Sequence, residues 1–463
     1  MSSRRAVCRS GSKFNRVTLS FNQTSRSQMQ QNEITRRNFV KVTTAGTLGL
    51  MASGNFAHAG GRDSLRVGVI GCGGRGTGAA RDAVVSSEQV EIVAMGDLFE
   101  DRLDASRKAL KEEIGDAYKV DDSRAFVGFD AYQHVIDSNV DMVILAAPPG
   151  FRPAHFTAAV NADKHVFMEK PVSVDVAGAL EIMKAGEVAT QKGLSVVAGT
   201  LYRRQPSFVE AIKRIHDGMI GEIVAAQEYY LTGPIWLRER KSGMSDMEWQ
   251  CRNWYYFTWL SGDHIVEQFV HNIDVINWVF QGHPQSAIAM GGRIARTSPE
   301  YGHIYDHFSV EYVYPGEIIV EAKCRQFQGA TNRVTNRVVG TKGIADLNPR
   351  NSQIRRHDGS ILYEMPEPGG NGYVQEHADL IQSIRDSKPI NEANQIAAST
   401  LTAVLGRESA YTGQQLSWDE MMASGLDLVP KTLAFGQLPM PQVPAPGITK
   451  LSRSASMSAQ KME

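Results

Sequence analysis

The richest chemical spacing in the chain is Gly71-Cys72-Gly73-Gly74-Arg75-Gly76, a G-x-G-x-x-G that follows the apolar run Leu65-Arg66-Val67-Gly68-Val69-Ile70 and opens into a helical stretch. Gly71 permits a tight turn, Gly73 lets the backbone approach a diphosphate, and Gly76 lets helix and strand pack closely. The helix N-terminus then turns its unbonded N–H groups toward the phosphates. A second apolar run, Val90 to Met95, ends through Gly96 at Asp97, 26 residues beyond Gly71. A carboxylate at that tip would accept from both adenosine ribose hydroxyls and repel a 2′-phosphate, which favours NAD. Arg102 lies near enough in sequence to leave NADP open.

Such residues need a sheet to carry them. Strand-like runs at 65–70, 90–95, 141–147, 165–168 and 194–198 alternate with helical stretches at 77–85, 153–161 and 175–191. That alternation predicts a doubly wound parallel sheet, with ligands gathered at its carboxyl edge. Pro148, in the Pro148-Pro149-Gly150 turn after the third of these strands, falls on the same edge and is a cofactor-side candidate. Beyond Tyr202 the pattern changes to runs at 223–230, 285–294, 308–314, 318–327 and 333–339, several alternating polar and apolar. These predict a large, mainly antiparallel sheet with one covered face, closed by helices near 373–387 and 391–411. The expected architecture is α/β overall: a Rossmann NAD(P)-binding domain over 60–201, an α+β substrate and oligomerisation domain over 202–430, and a Pro/Ser-rich arm or disordered tail over 431–463.

The strand at 165–168 runs into Glu169-Lys170-Pro171, and further on the chain reads Glu267-Gln268-Phe269-Val270-His271-Asn272-Ile273-Asp274-Val275-Ile276-Asn277-Trp278. With the glycine turn ahead of them, these two segments resemble the Gfo/Idh/MocA oxidoreductases, over nearly all of residues 65–415. The resemblance implies that Lys170 sits beside the nicotinamide and the reacting hydroxyl, with Glu169 on the cofactor side, and that the acid-x-x-x-His segment completes the site. Glu267 replaces the commoner Asp of the family pattern. At i and i+4, Glu267 and His271 would share one helix face. His271 is the expected general base, because imidazole titrates near neutrality, and Lys170 the group that orients the oxygen. The roles could be exchanged, with Lys170 shedding its proton beside a cationic nicotinamide. Tyr202, Arg203, Arg204, Asp263, His264 and Asp274 are candidate substrate contacts. The aromatic insertion Trp249 to Trp259 either stacks on sugar rings or fills a core beneath a long loop, the commoner outcome.

Composition and charge exclude other classes. The chain has 463 residues, 42% hydrophobic and 21% charged, ordinary for a globular protein large enough for two or three domains. Lys and Arg total 49 against 50 acids, but nine bases and one acid lie within residues 1–59, so the remainder is acidic and has no surplus to meet a nucleic-acid backbone. Cys8, Cys72, Cys251 and Cys324 form no CxxC pair, and no metal site is expected. Thr35-Arg36-Arg37-Asn38-Phe39-Val40-Lys41 resembles a twin-arginine export motif. A mildly apolar stretch follows, too polar for a stable membrane span, and then Ala57-His58-Ala59 as a cleavage site. The leader is therefore expected over residues 1–59, with Met29 as its true start, the Tat machinery as an export partner and a periplasmic or other extracytoplasmic destination.

Together these features predict an exported NAD(P)-dependent oxidoreductase that moves hydride between a sugar or cyclic polyol carbon and a tightly held nicotinamide. The alternatives are a redox-neutral NAD-dependent glycoside hydrolase and a non-catalytic carbohydrate-binding protein that retains NAD. The resemblance further implies a homo-oligomer.

Overall fold

The computed structural model describes residues 64–365 and 369–451. The expected leader and start site fall outside them, as does the tail beyond 451. Six strands, β1 (Leu65–Ile70), β2 (Val90–Asp97), β3 (Ala125–Val127), β4 (Met142–Leu145), β5 (His165–Met168) and β6 (Val196–Ala198), form one parallel sheet in the order β3-β2-β1-β4-β5-β6. This is the doubly wound dinucleotide-binding order. Its central strands are apolar on both faces, because helices cover both: Val67, Val69, Ile144 and Phe167 are buried on one side, Val143, Val166 and Met168 on the other. Helices Gly74–Ser86, Glu100–Ile114 and Val176–Gln191 provide that cover.

The second sheet has nine strands. They are β7 (Ile223–Thr232), β8 (Ser286–Gly292), β9 (His307–Tyr314), β10 (Ile318–Gln326), β11 (Arg333–Gly340), β12 (Gly343–Leu347), β13 (Gln353–Arg356), β14 (Ile361–Glu364) and β15 (Leu416–Ser417), in the order β14-β13-β12-β11-β7-β10-β9-β8-β15. Only β7 and β10 pair in parallel; the other neighbours are antiparallel. Alternation decides which face is covered: along β9, Phe308, Val310, Tyr312 and Tyr314 are buried while their neighbours are only partly so. The buried face packs against helices Val270–Phe280 and Ala393–Thr412. The opposite face leaves Ile288 and Met290 exposed.

Two segments tie the halves together. Glu392, just before the helix Ala393–Thr412, accepts from Ala198 N at 2.9 Å and pairs with Arg204 at 2.6 Å, joining β6 to the second domain. From 431 to 451 the chain runs without helix or strand as an arm. It is anchored on the second domain, where Leu438 N donates to Asp246, Gln250 donates to Leu438 O at 2.7 Å and the Tyr305 hydroxyl donates to Pro444 O at 2.9 Å, and it reaches the first domain where Phe435 stacks on Phe99.

Candidate active site

At the carboxyl edge of the parallel sheet lies a cleft of about 590 Å³, bounded below by the ends of β1, β2, β4 and β5 and above by the loop after β7 and the 264–271 segment. Its floor is the glycine turn. Gly71 adopts φ +93°, and a Cβ there would lie 2.3 Å from Ala147 N; one on Gly76 would lie 1.8 Å from Gly71 O. Gly73 and Gly74 are different. A Cβ on either would meet open space, nothing being nearer than the Arg102 guanidinium at 3.9 Å. The helix Gly74–Ser86 starts there with no side-chain cap, so its first N–H groups are available to an anion. Asp97 stands at the tip of β2, its two carboxylate oxygens accepting from Cys72 N at 2.6 Å and Phe99 N at 2.9 Å. Each oxygen keeps acceptor capacity toward the cleft. Burial raises the Asp97 carboxyl from its ordinary range, against the pull of those two N–H groups. Open glycine turn, uncapped helix and acid at the strand tip together fit a dinucleotide.

Lys170 leaves the end of β5 through a cis peptide to Pro171. Its ammonium donates to the Glu267 carbonyl at 2.5 Å and to Glu267 Oε1 at 3.1 Å, bridging the two domains. Glu267 Oε2 is buried without a partner. Burial raises the Glu267 carboxyl from its ordinary range, opposed by the Lys170 charge. His271 lines the same cleft, its Nδ1 also lacking a partner, with the Tyr202 ring 5.3 Å away. Burial, and next the Lys170 charge, depress the imidazole well below its usual value, so it stays neutral and able to accept a proton. Glu169 also lines the cleft and pairs with Arg75 at 2.7 Å, tying the glycine turn to the Glu-Lys-Pro segment. Pro148 lies on the cleft wall.

The structure places several of the expected site residues outside the cleft wall. Glu267 and His271 do not share one helix: the first ends the short helix His264–Glu267, the second lies in the first turn of Val270–Phe280, and both still reach the cleft. Arg203 and Asp274 are turned away from the cleft, closed on each other at 2.8 Å because both must lose water between the helices. Arg204 is held by Glu392 and Asp379. Asp263 and His264 are fully buried: the Asp263 carboxylate caps the Glu267 helix and accepts from Tyr305 N and the Tyr411 hydroxyl, holding its own backbone at φ +75°. Neither lines the cleft. Tyr202 packs behind His271, against Phe208. Cys72 contributes its N–H to Asp97 while its thiol faces Gly96 O, and Gly76 serves helix packing. In the insertion, Trp249, Tyr255, Tyr256, Phe257 and Trp259 fill a core with Phe99 and Phe151; only Trp254 of the six aromatics lines the cleft.

Other lining residues are defining positions of none of the motifs. Arg152 is buried, donates to Pro171 O at 2.5 Å and to Ala147 O, and is lowered to about 10 by burial. Its place just after the Pro148-Pro149-Gly150 turn was a usable signal. Gln268, beside Glu267, accepts from the Tyr230 hydroxyl at 2.7 Å. Trp236 and Arg238 also line the cleft, and no motif surrounds them.

Comparison with known proteins bears on the family and the fold. Residues 65–199 match a family described as an oxidoreductase family with an NAD-binding Rossmann fold, and residues 208–346 match the GFO/IDH/MocA C-terminal domain. An inositol 2-dehydrogenase from Acidothermus cellulolyticus is 25% identical over 70% of this chain and 84% of its own. An inositol 2-dehydrogenase/D-chiro-inositol 3-dehydrogenase from Halalkalibacterium halodurans is 24% identical over 78% of this chain and 96% of its own. Among solved structures, scyllo-inositol dehydrogenase from Lactobacillus casei with NAD(H) and scyllo-inositol superposes with a TM-score of 0.57 at 18% identity, covering 77% of this chain and 99% of the other. Aldose-aldose oxidoreductase from Caulobacter crescentus gives 0.60 at 18%, covering 76% and 99%. These two superpositions establish likeness of fold.

Proposed function

This chain belongs to the Gfo/Idh/MocA family of NAD-binding oxidoreductases, and from that premise we propose that it oxidises a secondary hydroxyl of a sugar or cyclic polyol. One observation carries the reading: Lys170, from the first domain, and Glu267 and His271, from the second, meet in the cleft that also contains the open glycine turn and Asp97. Gly73, Gly74 and Asp97 would hold the dinucleotide, which when bound supplies the hydride acceptor. The Lys170 ammonium orients the substrate oxygen and favours its negative charge. His271, neutral through burial, takes the hydroxyl proton. Glu267 fixes the Lys170 ammonium and offers the substrate its unpartnered Oε2.

Residues 1–59 are proposed as a twin-arginine leader that carries the folded, NAD-loaded enzyme out of the cytoplasm, where no soluble nicotinamide pool would recharge it. A cofactor retained through each cycle suits that setting. The arm supports retention: the Phe435 ring stacks on Phe99 at 5.8 Å and meets Phe129 at 5.1 Å, and both partners line the cleft next to Asp97. This cover favours a closed cycle, either coupled oxidation and reduction of two sugars or the oxidation-elimination route of an NAD-dependent glycoside hydrolase. NADP remains the alternative cofactor through Arg102, which lies beside the ribose end of the cleft. The exposed outer face of β8, with Ile288 and Met290, is the surface proposed for a homo-oligomer.

Mass spectrometry of the denatured protein, followed by product analysis on cyclitols, aldoses and glycosides, tests the reading. Bound NAD with oxidised sugar or cyclitol products supports it. Glycoside cleavage without net NADH selects the hydrolase route. Bound NAD with no product from any compound returns a binding protein.

A further inference from the structure

Four Lys or Arg side chains other than Arg238 line the cleft. Lys170 is committed to Glu267, Arg75 to Glu169, and Arg152 to the carbonyls of Pro171 and Ala147. Arg102 lies at the far end, beside Gly73 and within the field of Asp97. Arg238 is exposed at the cleft on the side of the second domain, and its guanidinium, like that of Arg102, forms no ion pair with a carboxylate among the described residues. Its neighbours in the same insertion are neutralised, Arg240 by Asp246 at 2.8 Å and Arg252 by Asp101 at 3.1 Å.

The Arg238 backbone is fixed on both sides. Its N–H donates to Asn253 Oδ1 at 2.9 Å, its carbonyl accepts from Trp249 Nε1 at 3.3 Å, and the fully buried Asn253 is itself anchored to Glu300 O at 2.7 Å. The guanidinium carbon lies 5.5 Å from the centre of the Trp236 ring, which in turn stands 5.8 Å from Trp254. Two indoles and an unpaired guanidinium therefore share one wall of the cleft. Indole faces suit the apolar face of a sugar or cyclitol ring, and a planar fork of donors suits a carboxylate or phosphate oxygen pair.

We infer that the substrate is a sugar or cyclitol carrying an anionic group, a carboxylate or a phosphate, which Arg238 binds while Trp236 and Trp254 flank the ring. This inference rests on the proposed oxidoreductase reading and narrows it. Arg238 is assigned to substrate rather than to the cofactor diphosphate because it comes from the second domain, beyond β7, whereas the diphosphate cradle of glycines and helix N–H groups belongs entirely to the first.

The test uses the NAD-loaded full chain and tryptophan fluorescence to titrate glucuronate, glucose 6-phosphate, glucose and myo-inositol, in the wild type and in Arg238→Gln and Arg238→Lys. The expected result is at least about tenfold tighter binding of one or both anions than of the neutral compounds, lost in Arg238→Gln and partly kept in Arg238→Lys. Neutral-ligand and NAD affinities should stay unchanged in both variants, which also shows that they fold. A preference for glucuronate alone identifies a carboxylate, and one for glucose 6-phosphate alone a phosphate. Equal affinity for neutral and anionic ligands, or weakened NAD binding in Arg238→Gln, overturns the assignment while leaving the oxidoreductase reading intact. Failure of every sugar and cyclitol to bind overturns both.

Discussion

Two ion pairs end on the same segment of this protein, and they do opposite work. Lys170, just beyond β5, pairs with Glu267, and Arg203, just beyond β6, pairs with Asp274, both acids lying within residues 264–280. In the second pair every carboxylate oxygen is satisfied: Asp274 Oδ2 accepts from Arg203 Nε at 2.8 Å, and Oδ1 from Arg203 Nη2 at 3.0 Å and Ser399 at 2.8 Å. In the first, Glu267 Oε2 is left without a partner, and the unpartnered Nδ1 of His271 belongs to the same cleft. Buried polar atoms without partners are costly, and they persist here where a ligand can complete them. The saturated pair supports the fold; the incomplete one is available for chemistry.

The contrast can be broken most decisively at Lys170. Lys170→Met is expected to lower kcat/KM by about 10³-fold or more while circular dichroism and melting stay close to wild type, and His271→Ala by about 10²–10⁴-fold, the usual range for a lost acid–base group. Full activity in either variant would remove that residue from the site. Arg203→Met should behave in the opposite way, costing about 3 kcal/mol in urea unfolding because Asp274 is left charged and buried, with kcat of the folded protein close to wild type. A catalytic loss without destabilisation there would erase the distinction between the pairs.

Smaller effects sharpen it. Phe435→Ser, outside the site, should speed NAD release several-fold in stopped-flow chase experiments by opening the aromatic cover beside Asp97, and an unchanged rate would detach the arm from cofactor retention. Because the His271 imidazole is depressed, it remains a competent base as pH falls, so the acid limb of kcat/KM should lie below the ordinary imidazole value of about 6.5. A limb above that value would argue against His271 as base. Burial also holds His155 and His377 at about 3 and His303 at about 4. These are neutral when folded but bind protons when unfolded, so Tm should decline as pH drops from about 6.5 toward those values.

Much of the fold was legible because hydrophobic runs and glycines act locally. Leu65–Ile70 and His165–Met168 have the bounds read from the sequence, while β3, two half-buried residues and one exposed, offers no run to recognise. In the site, the glycine turn, Asp97, Lys170, Glu267 and His271 were legible from strand ends and from motif. Arg203, Asp263, His264 and Asp274 lie outside the cleft wall, since nearness in sequence to a motif does not say toward which side of a helix pair a charge will turn. Trp236 and Arg238 lie in a loop with no periodicity, and only the packing of the insertion on the first domain brings them to the cleft.

By itself the sequence determined where the chain turns, which strands are buried on both faces and which residues can carry a proton or cradle a diphosphate, because those properties reside in single side chains and their immediate neighbours. Tertiary structure decided which charges are quenched and which are left incomplete. A carboxylate's partners come from segments far apart along the chain: Glu267 meets Lys170, and Asp274 meets Arg203 and Ser399, only after the two sheets and the helix Ala393–Thr412 have packed and water has been driven from between them.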